Sequence, residues 1–179
     1  MAQSRLMSRL CLPIRRLRFL VPPLSTTALS AFRILVVEDN AINQKVIELM
    51  LRNSAFEVDV VSDGEKALAA HRSKPYDLIL MDLQMPVMDG WEATRQIRQL
   101  QEIQPVIVAV TADVLAGVRE RCLKAGMDDY LSKPFTRQQL LATVEAVHHR
   151  VIAANAVRKA RSVMVGPREL ESLTSTVSR

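Results

Sequence analysis

Five side chains in this 179-residue sequence are of types that handle a phosphoryl group or a hard cation: Glu38, Asp39, Asp82, Thr111 and Lys133. Each stands at or just past the end of a short apolar run: ILVV before Glu38 and Asp39, DLILM before Asp82, VIVAV before Thr111, and YLS before Lys133. If those runs are parallel strands, their carboxyl ends share one crevice, where open α/β sheets place their ligands. Three carboxylates gathered there repel one another, and a pair about 4 Å apart costs roughly 4 kcal/mol at an effective dielectric of about 20. A divalent cation with oxygen ligands removes that cost. Mg²⁺, which takes one or two carboxylates, waters and a phosphate oxygen, is the ion that Glu38, Asp39 and Asp82 suit. An aspartate beside such an ion is a nucleophile toward phosphorus, with a lysine and a hydroxyl to balance charge on the transferred oxygens. The set is complete for forming and holding an aspartyl phosphate.

The elements that must position these residues follow from periodicity. Arg33 to Val37, Val58 to Val61, Leu78 to Met81, Val106 to Val110 and Tyr130 to Leu131 read as strands buried on both faces, the last of them too short to stand alone. Between them, apolar residues recur at helical spacing: Ile42, Val46, Leu49 and Met50; Ala67, Leu68 and His71; Ala93, Ile97 and Leu100; Val114, Val118 and Leu123; then Leu140, Leu141, Val144 and Val147. Five strands each followed by a helix predict an α/β domain over about 32–148, a doubly wound five-stranded parallel sheet in the order 2-1-3-4-5.

Charge is divided along the chain. The net charge is +5, yet residues 1–31 hold five Arg and no acid, residues 32–147 hold 13 basic and 17 acidic groups, and residues 148–179 hold six basic and two acidic groups. The basic balance belongs to the ends, so the central chemistry is not built on a cationic patch. The first 31 residues read as a basic arm or linker; a transit peptide shares the composition, but Pro22 and Pro23 interrupt the helix it needs. Residues 149–179 read as a helical extension that Gly166-Pro167 stops, then a frayed tail. Cys11 and Cys122 lie far apart with no Cys/His cluster, which speaks against a disulfide scaffold or a zinc site and for a reducing, cytoplasmic setting. No uninterrupted apolar stretch reaches a membrane-spanning length.

The stretches ILVVEDN (34 to 40), LILMDLQMPVMDGWEATRQIR (78 to 98), VIVAVTA (106 to 112) and GMDDYLSKPF (126 to 135) together resemble response-regulator receiver domains of two-component signalling, and the wording VVEDNAINQ and MDLQMPVMDG is most similar to receivers of hybrid histidine kinases. The resemblance implies a flavodoxin-like (βα)5 fold. It implies Asp82 as phosphoacceptor, Glu38, Asp39, Asp82 and the backbone carbonyl of Gln84 as Mg²⁺ ligands, Thr111 and Lys133 as phosphoryl contacts, and Tyr130 as a switch aromatic. It also points to a cis Lys133–Pro134 peptide. The partner it implies is a histidine kinase or histidine phosphotransfer protein, with a homodimer through the fourth helix, fifth strand and fifth helix as a further expectation. Such a chain is not a turnover enzyme but assists its own phosphorylation and dephosphorylation.

Plainer readings stand beside these. Glu38-Asp39 alone is an ordinary helix-start pair, Thr111 alone a helix cap, Lys133 alone a surface residue, and Tyr130 alone packing. A phosphatase of haloacid-dehalogenase type would want an acid two residues after its nucleophile, where Gln84 stands. Basic ends permit nucleic acid as a partner, but no aromatic residues are interleaved with them to support it. His148 and His149 read as surface residues, His71 as a core histidine and Cys122 as a buried structural thiol. No Gly-rich nucleotide loop is present, so the domain is not itself a kinase. The chain reads equally as complete or as a piece of a hybrid kinase.

Overall fold

Alternate residues of the inner strands enter opposite helix layers, which is why these strands read as unbroken apolar runs. The computed structural model describes residues 31–100, 103–113 and 117–164. The strands are β1 (Arg33–Val37), β2 (Glu57–Val61), β3 (Leu78–Asp82), β4 (Val106–Thr111) and β5 (Asp129–Ser132); the helices are α1 (Ala41–Leu51), α2 (Gly64–Ser73), α3 (Gly90–Gln99), α4 (Val118–Lys124) and α5 (Arg137–Met164). All strand pairs are parallel, in the order β2-β1-β3-β4-β5. Leu35, Val37, Ile79, Met81, Ile107 and Ala109 pack under α2, α3 and α4. Ile34, Val36, Leu78, Leu80, Val108 and Val110 pack under α1 and α5. The sheet is thus doubly wound, as the strand and helix pattern predicts.

Caps on the site side fix the loops that line the crevice. The Asn40 side chain accepts from the Ile42 and Asn43 amides at 2.9 and 3.3 Å, Asp63 from Lys66 at 2.8 Å, and Asp89 from Glu92 at 2.8 Å. Each satisfies an N–H left free by the first helical turn. Asp63 is buried, and burial raises its pKa, but hydrogen bonds from Lys66 and the Ser62 hydroxyl outweigh this and leave it below the ordinary carboxylate value. Its stabilisation is therefore present above the unfolded pKa of about 3.9 and is lost as pH falls through the lower folded value. Asp63→Ala is expected to lower unfolding free energy by about 1–2 kcal/mol at neutral pH, with the gap to wild type narrowing below about pH 4. Urea titrations across that range check it; a gap independent of pH would remove the charge from the account.

Four expectations need correction. In α1 the buried residues are Ile47 and Leu51, while Ile42, Val46 and Leu49 are 74%, 41% and 50% exposed. Two apolar stripes compete on this helix, both at helical spacing, and the one nearer Asn43 and Gln44 meets the sheet. In α4, Val118 and Cys122 are buried and Leu123 is exposed, because the helix starts only at Val118; Val114 lies outside the described residues. The Cys122 thiol is pushed up by burial and is inert. β5 extends over four residues, its outer half exposed as befits an edge strand. His148 is half-buried, edge-on to Phe32 and Phe56 with ring centroids 4.8 and 5.4 Å apart, so only His149 is a surface residue. His71 is buried, as its place on the α2 stripe predicts. Apart from Ala31, the expected basic arm lies outside the described residues, as does the tail beyond Met164.

Candidate functional site

β1 delivers two acids to the crevice in different states. The Glu38 amide still bonds to Val61 across the sheet at 3.1 Å, so Glu38 is held at the strand end and is 1% exposed. The next residue, Asp39, is outside the ladder and exposed. Asp82 closes β3 and is buried. Carboxylate oxygens of Glu38, Asp39 and Asp82 all lie within 4.8 Å of one another. Lys133, which follows β5, reaches between two of them, with Nζ 2.6 Å from Glu38 Oε2 and 2.6 Å from Asp82 Oδ2. Burial works against its charge, but the bonds to Asp82 and Glu38 more than offset this and hold its pKa above the ordinary lysine value.

Lys133 is located by its main chain. Its amide donates to the Thr111 carbonyl at 2.6 Å, continuing the β4–β5 ladder, and its peptide to Pro134 is cis. Thr111 is buried at the end of β4, and its Oγ1 accepts from the Asp113 amide at 3.0 Å. The hydroxyl therefore closes the turn after β4 and does not cap α4, whose N-cap residue is Gly117, with no side-chain cap bond. The Gln84 amide donates to Asp82 Oδ1 at 3.1 Å, which sets the Gln84 main chain beside that carboxylate. Tyr130 sits on β5 opposite Ala109 and is 38% exposed, outside the acid cluster.

The sequence reading assigned nothing to Asn43 and Gln44, yet both hold Glu38. Asn43 Nδ2 donates to Glu38 Oε1 and Gln44 Nε2 to its carbonyl oxygen, each at 2.6 Å. Their position in the first turn of a helix that starts over the strand end is the signal that finds them. Both Glu38 oxygens are therefore engaged, as are both Asp82 oxygens through the Gln84 amide and Lys133, and exposed Asp39 has the freer acceptors. Three carboxylates against one ammonium leave two negative charges, which suits a divalent oxygen-seeking ion such as Mg²⁺.

The loop after β3 is packed too tightly for side chains. A Cβ on Gly90 would lie 2.1 Å from the Asp82 carbonyl oxygen, and one on Gly64 would lie 2.7 Å from that of Met88. Gly90→Ala is therefore expected to move the Asp82 main chain, to cost more than 2 kcal/mol in stability, and to weaken Mg²⁺ binding, as Trp91 fluorescence would read. Wild-type affinity in that variant would show that the loop is not fixed by this contact.

Residues 34–145 match the family model of the response regulator receiver domain, and the chain belongs to that family. The curated proteins that it matches are more particular: they are hybrid histidine kinases. Over 119 residues it is 40% identical to the signal transduction histidine-protein kinase BarA of Escherichia coli strain K12, covering 66% of this chain and 13% of that protein. Over 131 residues it is 37% identical to hybrid signal transduction histidine kinase I of Dictyostelium discoideum, covering 69% and 8%. The chain thus spans only a small part of these relatives. Among solved structures it is similar to the receiver domain of sensor histidine kinase PA1611 from Pseudomonas aeruginosa PAO1, which has a magnesium ion coordinated in its active site cleft (46% identity, TM-score 0.59, covering 65% of this chain and 97% of that one). It is also similar to a co-crystal structure of the Saccharomyces cerevisiae histidine phosphotransfer protein Ypd1 with the receiver domain of its downstream response regulator Ssk1 (32% identity, TM-score 0.57, covering 62% of this chain and 83% of that one).

Proposed function

We propose that this receiver takes a phosphoryl group onto Asp82 from a phosphohistidine of a histidine kinase or histidine phosphotransfer protein, in a Mg²⁺-dependent step, in the cytoplasm. The observation that carries the reading is the bridging of buried Glu38 and Asp82 by Lys133 beside exposed Asp39. An Asp82 carboxylate oxygen attacks phosphorus, the P–N bond to the imidazole breaks, and the ring nitrogen leaves with that electron pair and takes a proton. Asp39 and Asp82, with Glu38 behind them and the Gln84 carbonyl as a further ligand, would hold the Mg²⁺, which supplies charge neutralisation at the transferred oxygens. Lys133 exchanges a carboxylate oxygen for a phosphoryl oxygen. The hydrogen of the Thr111 hydroxyl is not used in its bond from Asp113, and it is available to donate to the same group.

Docking of the donor is supported by the exposed stripe of Ile42, Val46 and Leu49 on α1, next to a cavity of about 330 Å³ whose lining includes Val46, Met50, Phe135 and Lys133. An apolar helix face there places a partner's histidine over the acids. On phosphorylation, Thr111 and Lys133 move toward the new charge, Tyr130 turns inward behind Thr111, and the surface of α4, β5 and α5 changes shape. That surface, with Leu123 and Tyr130 exposed, is where a second copy or an output partner docks. The domain spans 32–148, flanked by a basic arm and by the extension of α5. Gln84 offers an amide where a phosphatase needs its general acid, so the phosphoryl group is held, with slow loss assisted by the same residues.

Intact-protein mass after acetyl phosphate with Mg²⁺ tests the reading. A gain of one phosphoryl group, absent with EDTA, is the expected result. No adduct, or one indifferent to EDTA, would overturn it.

A further inference from the structure

The far half of α5 plays no part in that site. Leu140, Val144 and Val147 are buried and Val151 packs against them, but every residue from 152 to 160 is exposed. At about 100° per residue, Ile152, Ala153, Ala156, Val157 and Ala160 share an arc about 140° wide, centred roughly opposite Val144, Val147 and Val151. His149 lies on the same arc one turn nearer the sheet. Ile152 and Val157 are 45% and 60% exposed. Arg150 and Lys159 stand at the two edges of the arc, and Arg158 lies on the opposite side. Between Glu145 and Glu169 the sequence has no acid at all. Arg150 is 3.8 Å from Asp128 and remains largely exposed, so that contact does not bind it to the domain.

We infer that this part of α5 lies flat on an anionic lipid surface, its Ile/Val/Ala arc facing the acyl chains and its cations at the phosphate level, with the receiver domain held on the water side. A broad apolar arc edged by Lys and Arg is the geometry of an interfacial helix, and cationic edges make its affinity depend on anionic lipid. Three other ways of covering the face fit less well. A protein groove reads anchors spaced three, four and seven apart, whereas Ile152 and Val157 are five apart with alanines between them. A second copy would set the edge cations Arg150 and Lys159 near their own kind, with no acid on the segment to pair with them. A membrane span is excluded for α5, since no helix among the described residues is long and apolar enough. The inference stands apart from the phosphoryl-transfer reading and does not depend on it.

Flotation of the full chain with phosphatidylcholine vesicles containing about 30 mol% phosphatidylserine, against phosphatidylcholine alone, tests it. Binding is expected only to the anionic vesicles, and Ile152→Ser with Val157→Ser is expected to weaken it at least about tenfold. Both positions are exposed, so the urea midpoint should not move and loss of fold is distinguishable from loss of binding. Because five Arg in residues 1–31 also attract anionic lipid, undiminished binding of the double variant would assign the interaction elsewhere and overturn the inference. So would absence of binding, or a concentration-dependent sedimentation coefficient without vesicles that the double variant abolishes, which would mean that a second copy covers the face.

Discussion

Asp82→Asn is expected to abolish the mass gain from acetyl phosphate and Mg²⁺ while the protein stays folded. The amide is near-isosteric, but it is not a nucleophile toward phosphorus and is a poorer ligand for a hard cation. The fold should tolerate it because Lys133 keeps its bond to Glu38 Oε2 at 2.6 Å, and the pair of negative charges left over beside one ammonium becomes a single one. Removing one of three mutually repelling carboxylates leaves the ion-free protein as stable as wild type or more so, by up to about 1 kcal/mol. Mg²⁺ should then stabilise the variant less than wild type, since it binds the folded state through fewer carboxylates. Intact mass and urea denaturation with and without Mg²⁺ measure both effects. Retention of the adduct in Asp82→Asn would move the phosphoacceptor to another residue and undo the assignment.

These residues were legible because of where doubly covered strands stop. Leu78 to Met81 is apolar on both faces, so the first charge after it, Asp82, marks the point where the chain leaves the core. The same holds for Glu38 after Ile34 to Val37 and for Thr111 after Val106 to Val110. β5 was nearly invisible, since an edge strand with its outer half exposed needs no apolar run. Helix orientation was harder still. On α1 the stripe of Ile42, Val46 and Leu49 is as regular as the buried one, and only the direction in which β1 hands over to the helix through the Asn40 cap decides between them. Polar roles set by tertiary contacts left no periodic trace. Thr111 closes a turn where its type suggests a cap, and Asn43 holds Glu38 through a bond that only its place in the first turn of α1, and no apolar repeat, points to. His148 next to His149 reads as a polar pair until Phe32 and Phe56 are brought beside it.

Lys133→Ala separates charge balance from chemistry, and its largest effect should be on stability. The ammonium is the cation that bridges Glu38 and Asp82, both buried, and its removal leaves their carboxylates facing each other. Deleting one partner of a buried ion pair costs about 3–5 kcal/mol, and partial exposure of Lys133 sets the expectation just below that range, at about 2–3 kcal/mol. Mg²⁺ should recover much of that loss, because a divalent ion is a better remedy for three unpaired carboxylates than for three that already share an ammonium. The variant's urea midpoint should therefore rise with Mg²⁺ more steeply than that of wild type, the opposite of Asp82→Asn. Phosphorylation itself should persist, since Asp82 and the neighbouring carboxylates of Glu38 and Asp39 remain, but the Trp91 fluorescence change on treatment with beryllofluoride should vanish. Lys133 is tied by its own amide to Thr111, so without its side chain the bound phosphoryl group loses its hold on the β4–β5 end of the sheet. A variant with wild-type stability in EDTA and an intact fluorescence response would show that Lys133 neither balances the acids nor transmits their occupancy.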